Sequence, residues 1–128
     1  MLIRTALILA ALAGPAAANG EALSEYLWTA RPLVIFAPSD KDPRFVQQMA
    51  MLEARAEDLA ERDVVVLTDT APAADGPSRQ ELHPRGFQLV LIGKDGDVKL
   101  RKPFPWDVRE LSRVIDKMPM RQQEMRAR

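Results

Sequence analysis

Three apolar runs divide the chain, at positions 33–37, 64–67 and 87–92, and only Gln88 interrupts the last of them. A run of this length is typical of a strand with both faces buried, as in the middle of a parallel or mixed sheet. Residues 98–102 instead alternate apolar and cationic side chains, which predicts a strand with one exposed face. Asp95 and Gly96 lie between the last two of these segments and favour a tight turn. The pattern therefore predicts four strands, the last two joined as an antiparallel hairpin.

Two longer segments repeat their apolar residues every three or four positions, which is the spacing of a helix with one buried face. The first begins at Asp42 and Pro43, because Asp caps free N–H groups and Pro fits the first helical position, and it should end near Arg62. The second opens at Pro105, and Pro119 should stop it. The buried faces are Phe45, Met49, Leu52, Ala56 and Leu59 in the first helix and Val108, Leu111, Ile115 and Met118 in the second.

The remaining segments are less regular. Leu23, Tyr26 and Leu27 predict a short helix within residues 21–30, and the segment 70–86 predicts a loop with one helical turn at 78–82. Because strand–helix–strand crossovers are right-handed in nearly all proteins, the first two strands should be parallel neighbours. The order of elements predicts an α/β fold in which helices flank a central four-stranded mixed sheet.

The first residues have the pattern of a secretory signal. Arg4 supplies a positive start, residues 5–13 are apolar, and Ala16 to Ala18 offer a small-x-small cleavage site. We expect cleavage after Ala18, which leaves one domain at residues 19–128. The apolar run is much shorter than the ~20 residues of a membrane span, so no span is expected after cleavage. The expected location is the periplasm or the cell exterior.

Composition excludes several functions. The 128 residues carry equal numbers of acidic and basic side chains and only 5% aromatic residues, so no nucleic-acid partner is expected. The absence of cysteine excludes thiolate catalysis and thiolate metal ligation. His83 is the only histidine and has no cluster of further ligands at metal spacing. We therefore expect no metal, no cofactor and no catalytic residue of a known type.

Two groups of residues carry a resemblance to a known family. One is Arg31 to Ser39 followed by Asp42 to Arg44; the other is Leu91 to Gly96, Lys99 and Arg101, then Met118 to Arg121 and Glu124. Together they resemble the bacterial domain-of-unknown-function family numbered 4174, which is related to domains of vertebrate coiled-coil-domain-containing protein 80. The resemblance spans almost all of residues 23–126 and implies a thioredoxin- or peroxiredoxin-like fold. It implies no activity.

The resemblance can be compared with the thioredoxin motif if Phe36 is aligned at the end of the central strand and residues 94–96 at the hairpin turn. Residues 41–44 fall where thioredoxins carry Cys-Gly-Pro-Cys, so Lys41 and Arg44 occupy the two cysteine positions and Pro43 matches the proline. Gln88 falls at the position of the cis-proline. The resemblance therefore implies the scaffold without its thiol–disulfide or peroxidase chemistry.

The candidate ligand site is the end of the central strand, where residues 38–44 are expected to meet residues 85–88. Helix N-termini present free N–H groups and attract anions, and cations of this region add to that attraction. The alternative is that Asp42 simply caps the helix and its neighbours are solvated. The candidate residues are Ser39, Asp40, Lys41, Arg44, Arg85 and Gln88.

The leading functional hypothesis is an exported binding or structural module, with a small anion or a protein as partner. One alternative is a non-thiol enzyme that uses Asp40, Lys41 and Arg44. Another is an accessory module that binds a separate redox partner. The oligomeric state is left open by the sequence.

Two basic segments are expected to be structural. The hairpin with Lys94, Lys99, Arg101 and Lys102 has the character of a solvated sheet edge. The tail after Pro119 is polar and should pack on the body through its methionines.

Overall fold

The computed structural model describes residues 22–128, so the predicted signal segment lies outside the described residues. The four strands are β1 (Arg31–Phe36), β2 (Val64–Asp69), β3 (Gln88–Ile92) and β4 (Val98–Lys102). They form one sheet in the order β2-β1-β3-β4. β1 and β2 are parallel, whereas β3 is antiparallel to both β1 and β4. The predicted four-stranded mixed sheet is confirmed.

The register fixes which loops lie at the same end of the sheet. Phe36 at the end of β1 lies opposite Asp69 of β2 and Gln88 of β3. At the other end of β1, Arg31 lies opposite Val64. Because β3 runs the other way, the loop before β3 meets the loops that follow β1 and β2.

Within residues 22–128, five helices flank the sheet. They are α1 (Pro43–Ala54), α2 (Ala56–Glu61), α3 (Pro77–Leu82), α4 (Val108–Asp116) and α5 (Pro119–Arg126). Single turns of 3-10 helix occur at Leu23–Tyr26, within the segment where a short helix is predicted, and at Pro72–Ala74. No helix in this part of the chain is long and apolar enough to cross a bilayer.

The single helix predicted from residue 42 to about 62 is wrong, because α1 and α2 are separated at Arg55 (φ −130°, ψ 39°). No Gly or Pro marks the break. The Arg55 N–H donates to the Leu52 carbonyl at 3.2 Å, and the Arg55 carbonyl accepts from Asp58 at 3.1 Å. The backbone therefore keeps these hydrogen bonds across the break, in a turn tighter than that of an α-helix.

The start of the last helix differs from the prediction, because α4 begins at Val108 after Asp107 and Pro105 lies outside it. The predicted end is confirmed, since α4 stops at Asp116, before Pro119. Pro119 then occupies the first turn of a further helix, α5, where its missing N–H leaves no bond unmade. The tail, for which the sequence predicted no element, is therefore mostly a helix.

Alternate residues of β1 pack into two apolar clusters, one on each face of the sheet. Leu33 and Ile35 face α1, α2 and α4, whereas Val34 and Phe36 face the side covered by α3 and the first 3-10 turn. All four side chains are at most 1% exposed. Burial of each contributes about 1.5–3 kcal/mol to folding, and this two-sided packing explains why the strand reads as an unbroken apolar run.

Candidate functional site

The loop between β1 and α1 is organised by short-range hydrogen bonds. Ser39 Oγ accepts from the Lys41 N–H at 3.2 Å, and the Ser39 carbonyl accepts from the Asp42 N–H at 3.3 Å. Asp42 Oδ1 accepts from the Arg44 N–H at 2.9 Å and so caps α1. The predicted capping role of Asp42 is therefore confirmed. Residues 38–41 are exposed at this turn.

Asp42 and Arg44 also form a two-point ion pair at the start of α1. Arg44 Nε donates to Asp42 Oδ1 at 3.0 Å, and Arg44 Nη2 donates to Oδ2 at 2.7 Å. These bonds to the charged carboxylate lower the pKa of Asp42 to about 2. The guanidinium lies 5.7 Å from the ring centre of Phe87 and thereby links the two loops of the predicted site. Arg44 is consequently engaged by its own helix cap.

The segment before β3 supplies the other side of the predicted site. Arg85 is exposed, and Gln88 is half-buried at the first position of β3. Gln88 Oε1 accepts from Arg101 Nη1 at 2.9 Å, so its amide oxygen faces β4. Lys41, Asp40 and Arg85 make no side-chain ion pair within residues 22–128. Of the predicted residues, only Arg44 is shown to span the two loops.

A buried ion pair at the same end of the sheet escaped the sequence analysis. Asp69 ends β2 and is 3% exposed; Arg79 on α3 donates to its Oδ1 at 2.9 Å and to its carbonyl at 3.1 Å. The Arg79 guanidinium lies 5.2 Å from the ring centre of Phe36. A carboxylate two residues beyond a buried apolar run was the available signal. The pair ties the loop after β2 to the end of the sheet.

The opposite end of the sheet holds a larger ionic cluster. The Arg31 side chain is fully buried, and its Nη1 and Nη2 donate to Glu124 Oε1 and Oε2 at 3.2 and 3.1 Å. Nη1 also donates to the Arg62 carbonyl at 2.8 Å. Lys94 Nζ donates to Glu124 Oε2 and to Asp63 Oδ2, both at 2.8 Å. Glu124 on α5 therefore joins the first strand to the turn after β3.

Burial alone would raise the pKa of Glu124, but hydrogen bonds from Arg31 and Lys94 outweigh it and hold the pKa below its ordinary value. Burial would likewise lower the pKa of Lys94, and its bonds to Asp63 and Glu124 raise it instead. The ionised forms of these groups are thus the ones that the fold favours.

Arg121, which lies one turn before Glu124 on α5, extends the same cluster. Its Nε donates to Asp116 at 3.2 Å, and its Nη2 donates to Glu61 at 3.3 Å. Arg62 donates to the same Asp116 carboxylate through two bonds of 3.0 and 2.9 Å. Arg121 and Glu124 therefore hold the tail to the body. Of the two methionines predicted as anchors, Met120 is half-buried and Met125 is 37% exposed.

A groove of about 750 Å³ opens beside β2, and none of the predicted site residues lines it. It is bounded by α1, α2 and the outer side of β2, and its lining is mostly apolar. The predicted site at the end of β1 and this groove are therefore different places. Within residues 22–128, no group of three or more His, Asp or Glu side chains could hold a metal ion.

The sheet order and its flanking helices define a thioredoxin-like fold. Reduced 2-Cys peroxiredoxin of Plasmodium vivax is similar, with a TM-score of 0.61 and 16% identity over 79% of this chain and 84% of that chain. Prx1a of Plasmodium yoelii gives a TM-score of 0.63 and 17% identity over 79% and 80% of the two chains. At such identities the likeness concerns the fold alone.

Within that fold class, the chain belongs to the family described as Domain of unknown function (DUF4174), which matches residues 22–124. Coiled-coil domain-containing protein 80 of Danio rerio is 31% identical over 133 residues, which cover 80% of this chain. The match spans 15% of that relative's length.

Proposed function

We propose that this domain is an exported binding module that uses a thioredoxin-like scaffold without thiol turnover. The observation that carries the proposal is the chemistry at the start of α1. In the motif alignment predicted from the sequence, cations occupy both cysteine positions, and one of them, Arg44, is bonded to Asp42 through two atoms. The sequence contains no cysteine that could act in their place. Export rests on the first 18 residues and stays a prediction.

The ligand we propose for this end of the sheet carries a small anionic group. Two exposed cations, Lys41 and Arg85, lie in loops at the same end of the sheet. One loop follows β1 and the other precedes β3, and Phe36 and Gln88 are opposite each other in the sheet. Neither cation has an ion-pair partner in the described part of the chain. Free cations beside a helix N-terminus suit a phosphate or a carboxylate. Arg44 contributes less, since Asp42 already neutralises it.

An amide-detected NMR titration with inorganic phosphate tests this proposal. We expect shifts at residues 39–44 and 85–88, with weaker binding in Lys41→Ala and in Arg85→Ala. Arg44→Ala should have the smaller effect. Lys117→Ala provides the matched control, because Lys117 is an exposed lysine at the end of α4. Binding that is unaffected by the Lys41 and Arg85 variants would refute the anion site.

A separate assay tests the absence of thiol turnover. The purified protein should not accelerate the reduction of insulin by a dithiol, because thiol–disulfide exchange requires an attacking thiolate. A rate enhancement by the cysteine-free chain would contradict the proposed function.

A further inference from the structure

β2 is an edge of the sheet and pairs only with β1 in the described part of the chain. Its first five residues, 64–68, carry no charge. The other edge, β4, has Lys99, Arg101 and Lys102. Charged side chains discourage a further strand from adding to an edge, whereas an uncharged edge leaves its outward N–H and C=O groups available. The two edges of this sheet therefore differ in their capacity to accept a strand.

The groove adjoins this uncharged edge. Val64 and Val66 of β2 line it, together with Met49 and Val46 of α1 and Ala60 of α2. Val46 is 55% exposed although it is a large apolar residue on a helix. Successive side chains of a strand point to opposite faces. A strand added beside β2 would therefore place every second side chain over the groove.

The charge around the groove is negative. Glu53 is a lining residue, and Glu57 follows it on α2. Both are exposed, and neither forms an ion pair within residues 22–128. The nearby Arg55 is engaged by Asp58 at 2.9 Å. An incoming segment with apolar side chains and a lysine or arginine complements this surface.

Two copies of this chain complement each other poorly at β2. Antiparallel pairing of two β2 strands about a two-fold axis keeps both grooves on the same face of the joined sheet. Glu53 and Glu57 of one copy would then lie on the same face of the joined sheet as those of its partner, and like charges oppose association. Charge therefore favours a different protein segment over self-pairing.

We propose that β2 and its groove accept an extended, basic and apolar segment of a partner protein as an added strand. Main-chain hydrogen bonds to the edge supply affinity, the groove accepts alternate side chains, and Glu53 selects for positive charge. The inference rests on the proposed binding function but names a surface other than the phosphate site.

The test uses a synthetic seven-residue peptide with valine at its second, fourth and sixth positions, threonine between them and lysine at both ends. Its addition to isotopically labelled protein should shift the amide signals of residues 64–68 and slow their hydrogen exchange. Glu53→Lys should weaken binding about two- to fivefold, the range for an exposed ion pair. Glu81→Lys is the control, since Glu81 is an exposed glutamate on α3, and it should leave the affinity unchanged.

Four results would overturn the inference: no shifts at residues 64–68, equal binding of a peptide with glutamate at both ends, insensitivity to Glu53→Lys, or equal weakening by Glu81→Lys. Concentration-dependent shifts of the same amides without peptide would show self-pairing and would also overturn it. Phosphate shifts appear at residues 39–44 and 85–88, so the same spectra show whether the peptide surface, the anion site or both have failed.

Discussion

Glu124→Gln tests whether the ionic cluster holds the last helix to the body. The substitution keeps the size of the side chain and removes the charge that faces Arg31 and Lys94. Lys94 retains Asp63 at 2.8 Å, and Arg31 retains the Arg62 carbonyl at 2.8 Å. The fully buried Arg31 guanidinium, however, loses the only carboxylate to which it is bonded within residues 22–128.

The expected cost follows from this geometry. Removing one member of a buried ion pair typically costs about 3–5 kcal/mol, because the remaining charge stays buried without its partner. The Glu124 side chain is 25% exposed, so water offsets part of this penalty. We expect Glu124→Gln to lower the free energy of unfolding by about 2–3 kcal/mol. For a domain of this size, that loss lowers the melting temperature by about 8 °C or more.

Urea and thermal unfolding, followed by far-ultraviolet circular dichroism, measure both quantities. The matched control is Glu110→Gln on α4, where Glu110 pairs with Arg113 at 3.0 Å and the two side chains are 44% and 65% exposed. This exposed pair should contribute less than about 0.5 kcal/mol. If Glu124→Gln costs no more than Glu110→Gln, the cluster does not stabilise the fold in the way described.

Two further predictions concern acid and the start of α1. Arg62 lowers the pKa of Asp116 despite burial, and Glu124 also has a lowered pKa, so stability should decline as pH falls below their ordinary values of 3.8 and 4.5. Urea unfolding at about pH 6 and about pH 3 measures the loss of unfolding free energy. This loss should be smaller in Glu124→Gln than in the unchanged protein. An equal loss in both would refute the role of Glu124. Lys41→Cys with Arg44→Cys should confer dithiol-dependent insulin reduction, since a helix N-terminus favours a thiolate. Lys41→Cys alone should not do so, and an inactive, folded double variant would contradict the thioredoxin-like placement of these positions.

The strands could be predicted from sequence because burial leaves a direct pattern in them. β1 packs on both faces, and its apolar run is unbroken. β4 alternates because Leu100 packs against the core, whereas Lys99 and Arg101 are exposed. The turn before β4 could also be predicted from the sequence, because Gly96 has φ +87°, a conformation that favours glycine.

Helix ends were harder to predict because two local rules compete at the same residue type. Proline after an apolar helical stripe predicts an end, yet proline also suits the first turn of a new helix. At Pro119 both rules hold, because α4 ends at Asp116 and α5 begins at Pro119. Arg121 and Glu124 of α5 find partners on the body, and one-dimensional spacing does not contain these long-range contacts. The break at Arg55 has no signal in the sequence.

The candidate site was only partly predictable for the same reason. The helix cap at Asp42 depends on neighbours two residues away, so the sequence reveals it. The pairing of Asp69 with Arg79, by contrast, joins a strand to a helix across a loop. The bond from Arg101 to Gln88 also depends on strand register. The sequence therefore predicted a candidate site at this end of the sheet. It did not reveal which polar groups there already have hydrogen-bond or ion-pair partners.

Four of the residues that carry the family resemblance have a shared structural role, at the end of the sheet opposite the start of α1. Arg31 begins β1, Lys94 follows β3, and Arg121 and Glu124 lie on α5, yet their charged groups meet in one cluster. A buried cation is costly unless it is paired, so these four positions depend on one another. The resemblance at these positions is therefore accounted for by closure of the fold. Lys41, Arg85 and Glu53 are exposed and are not among the residues that carry the resemblance, and the two proposed binding surfaces depend on them.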